Sequence, residues 1–185
     1  MQHRSERKYL KDIRKGRPEA CEEIVHKHYK AIYRFMAHLT NDKNLAEDLT
    51  QETFLSAWAR IDQYKGQASM ATWLHKIAYH KFIDSRRKLE NHTNMLTRLK
   101  TDNPTRPQPT SPLGKLMADE HSRLLYEAIH KLAPSEYLVI LLHYIQALTF
   151  REMAAVLDRP VGTVKWQTSR ALKKLKTFLT GKVQS

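Results

Sequence analysis

Between Asn91 and Gly114 the regular spacing of apolar residues that runs through the rest of the chain stops. Pro104, Pro107, Pro109 and Pro112 fall within nine residues there, among Thr, Ser and Asn. Proline lacks a backbone donor and pushes the residue before it out of the helical region, so a helix is not expected to cross this stretch. A structureless loop of that length inside one compact domain is uncommon. The stretch therefore predicts an extended linker over residues 91–114, dividing the 185-residue chain into a first domain (1–90) and a second (115–185).

Both flanks read as helix. Ile24, Val25, Ile32, Phe35, Met36 and Leu39 recur at three-to-four spacing. So do Leu45, Leu49, Phe54, Trp58 and Ile61, then Leu74, Ala78 and Phe82, and beyond the linker Leu124, Leu125, Ala128, Ile129 and Leu132. No run alternates apolar and polar residues as a half-buried strand does. The expected fold class is all-α: two small helical domains joined by a proline-rich linker, the second containing a helix-turn-helix.

Charge narrows the function. Lys and Arg total 32 against 19 Asp and Glu, a formal net charge of +13, which attracts a polyanion. Membrane insertion is not expected, because the longest apolar run, Tyr137 to Leu142, is six residues against the roughly 20 that span a bilayer. Met1 through Lys8 has no apolar signal core, and the single Cys21 cannot form an internal disulfide. These features predict a cytoplasmic protein. The five glycines are scattered, so no phosphate-cradling loop is available. His26 and His28 point to different faces of a helix, and no His-Glu-x-x-His or cysteine pair provides metal spacing. No catalytic residues, metal or cofactor are expected.

The second domain holds the clearest local signals. Thr149 and Glu152 have capping-box spacing and should open a short helix ending at Asp158-Arg159-Pro160. A further helix is expected from about Gly162 to Leu179, making a helix-turn-helix. Val164, Thr168, Ala171, Leu175 and Phe178 share its packing face. Thr163, Trp166, Gln167, Arg170, Lys173 and Lys174 share the other, and Lys165 adds to a run of six basic and no acidic residues between 162 and 182. Lys and Arg neutralise phosphates; Gln can read adenine and Arg guanine in the major groove. Trp166 can meet a thymine methyl or fold back into the core. A solvated basic helix without a ligand is the plainer alternative, but position on the second helix of the motif favours DNA.

The first domain carries two contrasting faces. Asp42, Glu47, Asp48 and Glu52 gather against a lone Lys43. On a helix Asp48, Gln51, Glu52 and Leu55 share one side, either a plain solvated face or a dock for a basic protein. Downstream, Tyr64, Lys65, Trp73, His75, Lys76, Tyr79, His80, Lys81, Arg86, Arg87 and Lys88 mix rings with cations. That mixture suits single-stranded DNA, whose bases stack on rings while its phosphates meet cations. Trp73 fits the core equally well, given its spacing to Ile77.

Three segments, AEDLTQETFLSAW (46–58), TWLHKIAYHKFIDSRR (72–87) and LTFREMAAVLDRPVGTVKWQTSRALKKL (148–175), resemble the extracytoplasmic-function (ECF) sigma factors of bacterial RNA polymerase in motif, order and separation. The resemblance implies a non-enzymatic, dissociable specificity subunit for promoter recognition and transcription initiation. It implies that Asp48, Gln51, Glu52 and Leu55 dock on the beta-prime clamp of core RNA polymerase. It implies that Tyr64, Lys65, Lys76, His80, Arg86 and Arg87 engage the minus-ten element and its melted non-template strand. It further implies that Thr163, Lys165, Trp166, Gln167, Arg170, Lys173 and Lys174 bind the double-stranded minus-thirty-five element, with their domain resting on the beta flap. Whether an anti-sigma factor is a further partner stays open. His80 stands where asparagine is common, Asp158 where a turn glycine is frequent, and Trp166-Gln167 where Ser-Arg is usual. A stand-alone helix-turn-helix regulator is the alternative; it leaves the acidic face and the aromatic-basic segment without roles.

Overall fold

A computed structural model describes residues 18–97, 124–125, 127–129 and 131–183. They form helices joined by short turns, with no strand among the described residues. The chain separates into two units, Met1–Pro109 and Thr110–Ser185, divided inside the stretch where a linker was expected. The first contains α1 (Pro18–Thr40), α2 (Lys43–Ala59), a 3-10 turn (Ile61–Gln63) and α3 (Met70–Thr97). The second contains α4 (Pro134–Ile140), which runs into a π turn (Leu141–Ile145), then α5 (Phe150–Leu157) and α6 (Val161–Val183). Residues 124–125 and 127–129 are helical as well.

The expected linker boundary is corrected at its start: α3 continues through Thr97, seven residues into the stretch assigned to the linker. A charge pair on the helix surface lies just before the extension. Arg86 and Glu90 pair at 3.3 Å at an i,i+4 spacing, and such pairs support a helix that lacks an apolar stripe. Residues 98–114, the prolines among them, lie outside the described residues, as does the Met1 to Lys8 segment.

Local chemistry explains the helix ends. Asn41 takes the left-handed conformation (φ 54), and Asp42 caps α2 by accepting from the amides of Asn44 at 2.9 Å and Leu45 at 3.2 Å. Ser69 begins α3, its hydroxyl accepting from the Thr72 amide at 3.2 Å. Thr149 and Glu152 form the expected capping box, with Glu152 accepting from the Thr149 amide at 2.9 Å and Thr149 from the Glu152 amide at 3.3 Å. Asp158 ends α5 in the left-handed region (φ 51, ψ 47), which a short polar side chain tolerates.

Each unit has its own core. In the first, α1, α2 and α3 pack on one another around Ile32, Phe35, Met36, Ala46, Leu74 and Ala78, all out of solvent. The buried hydroxyls of Thr50 and Thr53 each donate to a carbonyl one turn back, at 2.6 Å, which offsets their desolvation. In the second, α4 and α5 both pack on α6. Val139, Leu141, Leu142, Met153 and Val156 meet Val164, Thr168, Ala171 and Leu175 in its buried set. The packing face expected for the last helix is therefore the observed one, with Phe178 at its margin under the Lys131 ammonium, 5.5 Å from the ring centre.

Candidate polymerase and nucleic-acid interfaces

Burial on one side of α2 leaves its other side to solvent. Leu49, Thr50, Thr53, Phe54 and Ala57 are buried, while Asp48, Gln51, Glu52 and Leu55 are all exposed on the opposite side. Leu55 stands out, with 68% of its surface in water. It shares this exposed side with the carboxylates of Asp48 and Glu52. Glu52 accepts an ion pair from Lys81 of α3 at 3.2 Å, so the acidic face borders the basic one.

The aromatic-basic segment divides once its burial is known. Lys65, His80, Arg86 and Arg87 are exposed, and Lys76 is half-buried. Tyr64 is not at the surface. It is 3% exposed, its hydroxyl donates to the Ala68 carbonyl at 2.6 Å, and its ring lies 5.0 Å from that of Trp73. Its expected contact with DNA is thus corrected. The ring body is driven inward by its apolar area, and the loop before α3 provides the partner its hydroxyl needs when buried. His75 is likewise core, with Nδ1 2.8 Å from the Ala71 carbonyl oxygen and its ring against Phe35 at 5.2 Å. Trp73 is half-buried against Tyr64. Neighbouring His28 is held neutral: burial, then the charges of Lys27 and His75, push its imidazole down to about 4.

In the second unit, α5, the turn Asp158–Pro160 and α6 form the helix-turn-helix. Thr163, Lys165, Trp166, Arg170 and Lys173 are exposed on α6. Trp166, left open between groove and core, stands 58% exposed, with the Arg170 guanidinium over its ring at 5.3 Å. Gln167 and Lys174 are half-buried and engaged. Gln167 Oε1 accepts from Arg159 of the turn at 3.1 Å. Lys174 Nζ lies 2.7 Å from Glu136 Oε1, and Arg170 Nε lies 3.2 Å from the same oxygen. Sequence reasoning missed Arg159 and Glu136. Arg159 sits in a turn, where it read as punctuation; Glu136 meets Lys174 across 38 positions, and no periodicity reports such a pairing. Among the described residues no cluster of three or more His, Cys, Asp or Glu side chains could hold a metal ion, and no helix is long and apolar enough to cross a membrane.

Comparison with known proteins matches these two units separately. Residues 24–92 match Sigma-70 region 2, and residues 122–175 match Sigma-70, region 4. Together they define the class as a transcription initiation factor of the sigma-70 type. The chain is 30% identical over 185 residues to the ECF RNA polymerase sigma factor SigW of Bacillus subtilis (strain 168), covering 94% of this chain and 96% of that relative. It is 30% identical over 163 residues to the ECF RNA polymerase sigma factor SigC of Mycobacterium tuberculosis (strain CDC 1551 / Oshkosh), covering 85% of this chain and 82% of the relative. CnrH, solved in complex with the cytosolic domain of CnrY, has a similar fold, with a TM-score of 0.69 at 23% identity, covering 95% of this chain and 97% of that one. So does RpoE, solved with the anti-sigma factor NepR from Bartonella quintana, with a TM-score of 0.67 at 21% identity, covering 86% and 96%. The chain belongs to the ECF RNA polymerase sigma factors. Its function is promoter-directed transcription initiation, and its partners are core RNA polymerase and promoter DNA.

Proposed function

We propose that three exposed faces divide the work of initiation. The α2 face of Asp48, Gln51, Glu52 and Leu55 docks on the beta-prime clamp of core polymerase. Lys65, Lys76, His80, Arg86 and Arg87 track the melted non-template strand at the minus-ten element, on a platform stiffened by buried Tyr64. The solvent side of α6 reads the minus-thirty-five element, with the second unit resting on the beta flap and residues 98–114 linking the two. Polymerase supplies the chemistry of nucleotide addition, and this chain acts as a non-enzymatic specificity subunit in the cytoplasm. An anti-sigma factor is proposed as a regulator by analogy of fold with RpoE.

The observation that carries the reading is the two-sided α6: Val164, Thr168 and Ala171 buried beneath Thr163, Trp166, Arg170 and Lys173 in solvent, on the second helix of a helix-turn-helix. Such a helix enters the major groove with its N-terminal residues at the bases. Thr163, Trp166, Gln167 and Arg170 then face base edges, and Lys165 and Lys173 face phosphates. Arg159 orients the Gln167 amide from the turn. The test is holoenzyme binding to promoters randomised at the upstream element. Alanine at Gln167 or Arg170 relaxes preference at one or two base pairs, whereas alanine at Lys173 weakens all sequences alike. Uniform losses from every substitution would reduce α6 to an electrostatic anchor.

A further inference from the structure

Glu136 has no place in the proposed readout, yet its carboxylate joins α4 to two basic residues of α6. It is 5% exposed. Its Oε2 accepts from the Ala133 amide at 3.1 Å, capping its own helix. Lys174 Nζ reaches both of its oxygens, at 2.7 and 2.8 Å, and Arg170 Nε reaches one at 3.2 Å. A buried carboxylate is tolerated when it is paired in this way. Those contacts also hold its carboxyl below the usual carboxylate range, chiefly the hydrogen bond from Lys174. The cluster's effect on α6 is unequal. Arg170 is pinned from two sides, by Glu136 at Nε and by the Trp166 ring beneath its guanidinium. Lys174 is half-buried with its ammonium on Glu136, while Lys173, adjacent in sequence, is exposed.

We propose that Glu136 is a positioning residue for α6: by fixing the Arg170 guanidinium in one geometry it sets how sharply the helix discriminates sequence, and by holding Lys174 away from the DNA phosphates it lowers the affinity common to all sequences. The physical basis is that the two kinds of contact do different things. Phosphate contacts raise affinity for every sequence and carry no base information, whereas a restrained side chain at a base edge carries it. Freezing Arg170 before binding removes an ordering cost that would otherwise be met on the DNA. Engaging the Lys174 ammonium with Glu136 lowers the affinity that all sequences share. Only the first effect widens the gap between cognate and non-cognate sites; the second lowers binding to both alike. The inference rests on the proposal that α6 reads the upstream element.

The experiment uses holoenzyme reconstituted from core polymerase and the full chain, with promoter binding followed across salt concentrations and across the randomised upstream element. Each lost phosphate contact flattens the log–log salt slope by about 0.9. Lys173→Ala should show that loss, and Lys174→Ala should leave the slope unchanged. Glu136→Gln should steepen the slope by about 0.9 as Lys174 reaches a phosphate. It should also lower, by about tenfold, the base preference that Arg170→Ala abolishes. A merely structural role would instead reduce binding to all sequences with slope and preference intact. That result overturns the proposal, as does Lys174→Ala flattening the slope as much as Lys173→Ala. Should Glu136→Gln fail to fold, the lysine pair decides alone. If neither Arg170→Ala nor Lys173→Ala changes binding, it is the placement of α6 on the DNA that fails.

Discussion

Truncating Leu55 to alanine isolates the polymerase dock from the fold. Burying a leucine side chain completely is worth about 1.5–3 kcal/mol. Leu55 is 68% exposed in the free protein, so about two-thirds of that remains to be gained on docking, or ~1–2 kcal/mol. The expected loss in affinity for core polymerase is about five- to thirtyfold. Folding should be nearly unaffected, because a side chain already in water contributes little to the core, and surface changes usually stay within about 0.5 kcal/mol. Reversing charge at Asp48 and Glu52 provides a companion measurement. It gives up the Lys81–Glu52 pair, a partly exposed bridge worth at most about 1 kcal/mol, and its effect on docking should shrink as salt rises. The assay is a titration of labelled full-length protein with core polymerase at two salt concentrations, beside a denaturant melt. A Leu55→Ala protein with native stability and unchanged affinity would refute the assignment of this face. Equal losses in both assays would refute the claim that Leu55 is free of the core.

Three other outcomes follow from the geometry. Replacing Lys76, His80 and Arg87 together by alanine should reduce permanganate reactivity of promoter thymines while core binding is retained; normal opening would move the single-strand role elsewhere. Thr149→Ala removes one acceptor of the α5 capping box and should cost about 1 kcal/mol in a denaturant melt of the full chain; an unchanged midpoint would contradict the box. For His28 the folded value of about 4 lies below the ordinary 6.5, so the unfolded chain binds the proton first. Its contribution is therefore fully present above about pH 6.5, declines as pH falls toward 4, and changes no further below. Melts of His28→Gln across that window should lose this part of the pH dependence, and parallel curves for the two proteins would show that His28 is not its source.

What was legible in the sequence was local. Thr149 and Glu152 lie three positions apart, and Asp158 follows where the helix must turn, so the start and end of α5 could be read off directly. The buried side of α6 repeats at helical spacing, and so could be read as well. Burial of amphipathic residues was less accessible. Tyr64 and His75 have the same composition cue as His80 and Arg87, and only the packing of α1 and α3 against them decides which rings are inside. The extension of α3 beyond residue 90 was hidden because Asn91, His92, Thr93, Asn94 and Thr97 are weak helix formers, so local preference read there as a break. The Glu136 cluster was hidden for a different reason. Its carboxylate satisfies a local capping rule at Ala133, and its ion pairs are made to a helix far along the chain.

The central claim is that this chain confers promoter-specific initiation on a polymerase that lacks it. The direct measurement is transcription from genomic DNA by core polymerase, with and without the full-length protein, followed by sequencing of the transcript 5′ ends. The account predicts that adding the protein produces discrete start sites sharing one minus-ten and one minus-thirty-five sequence at a fixed separation. It also predicts that these starts vanish when Leu55, Asp48 and Glu52 are replaced. Transcript ends that remain scattered and unchanged on adding the protein would contradict it.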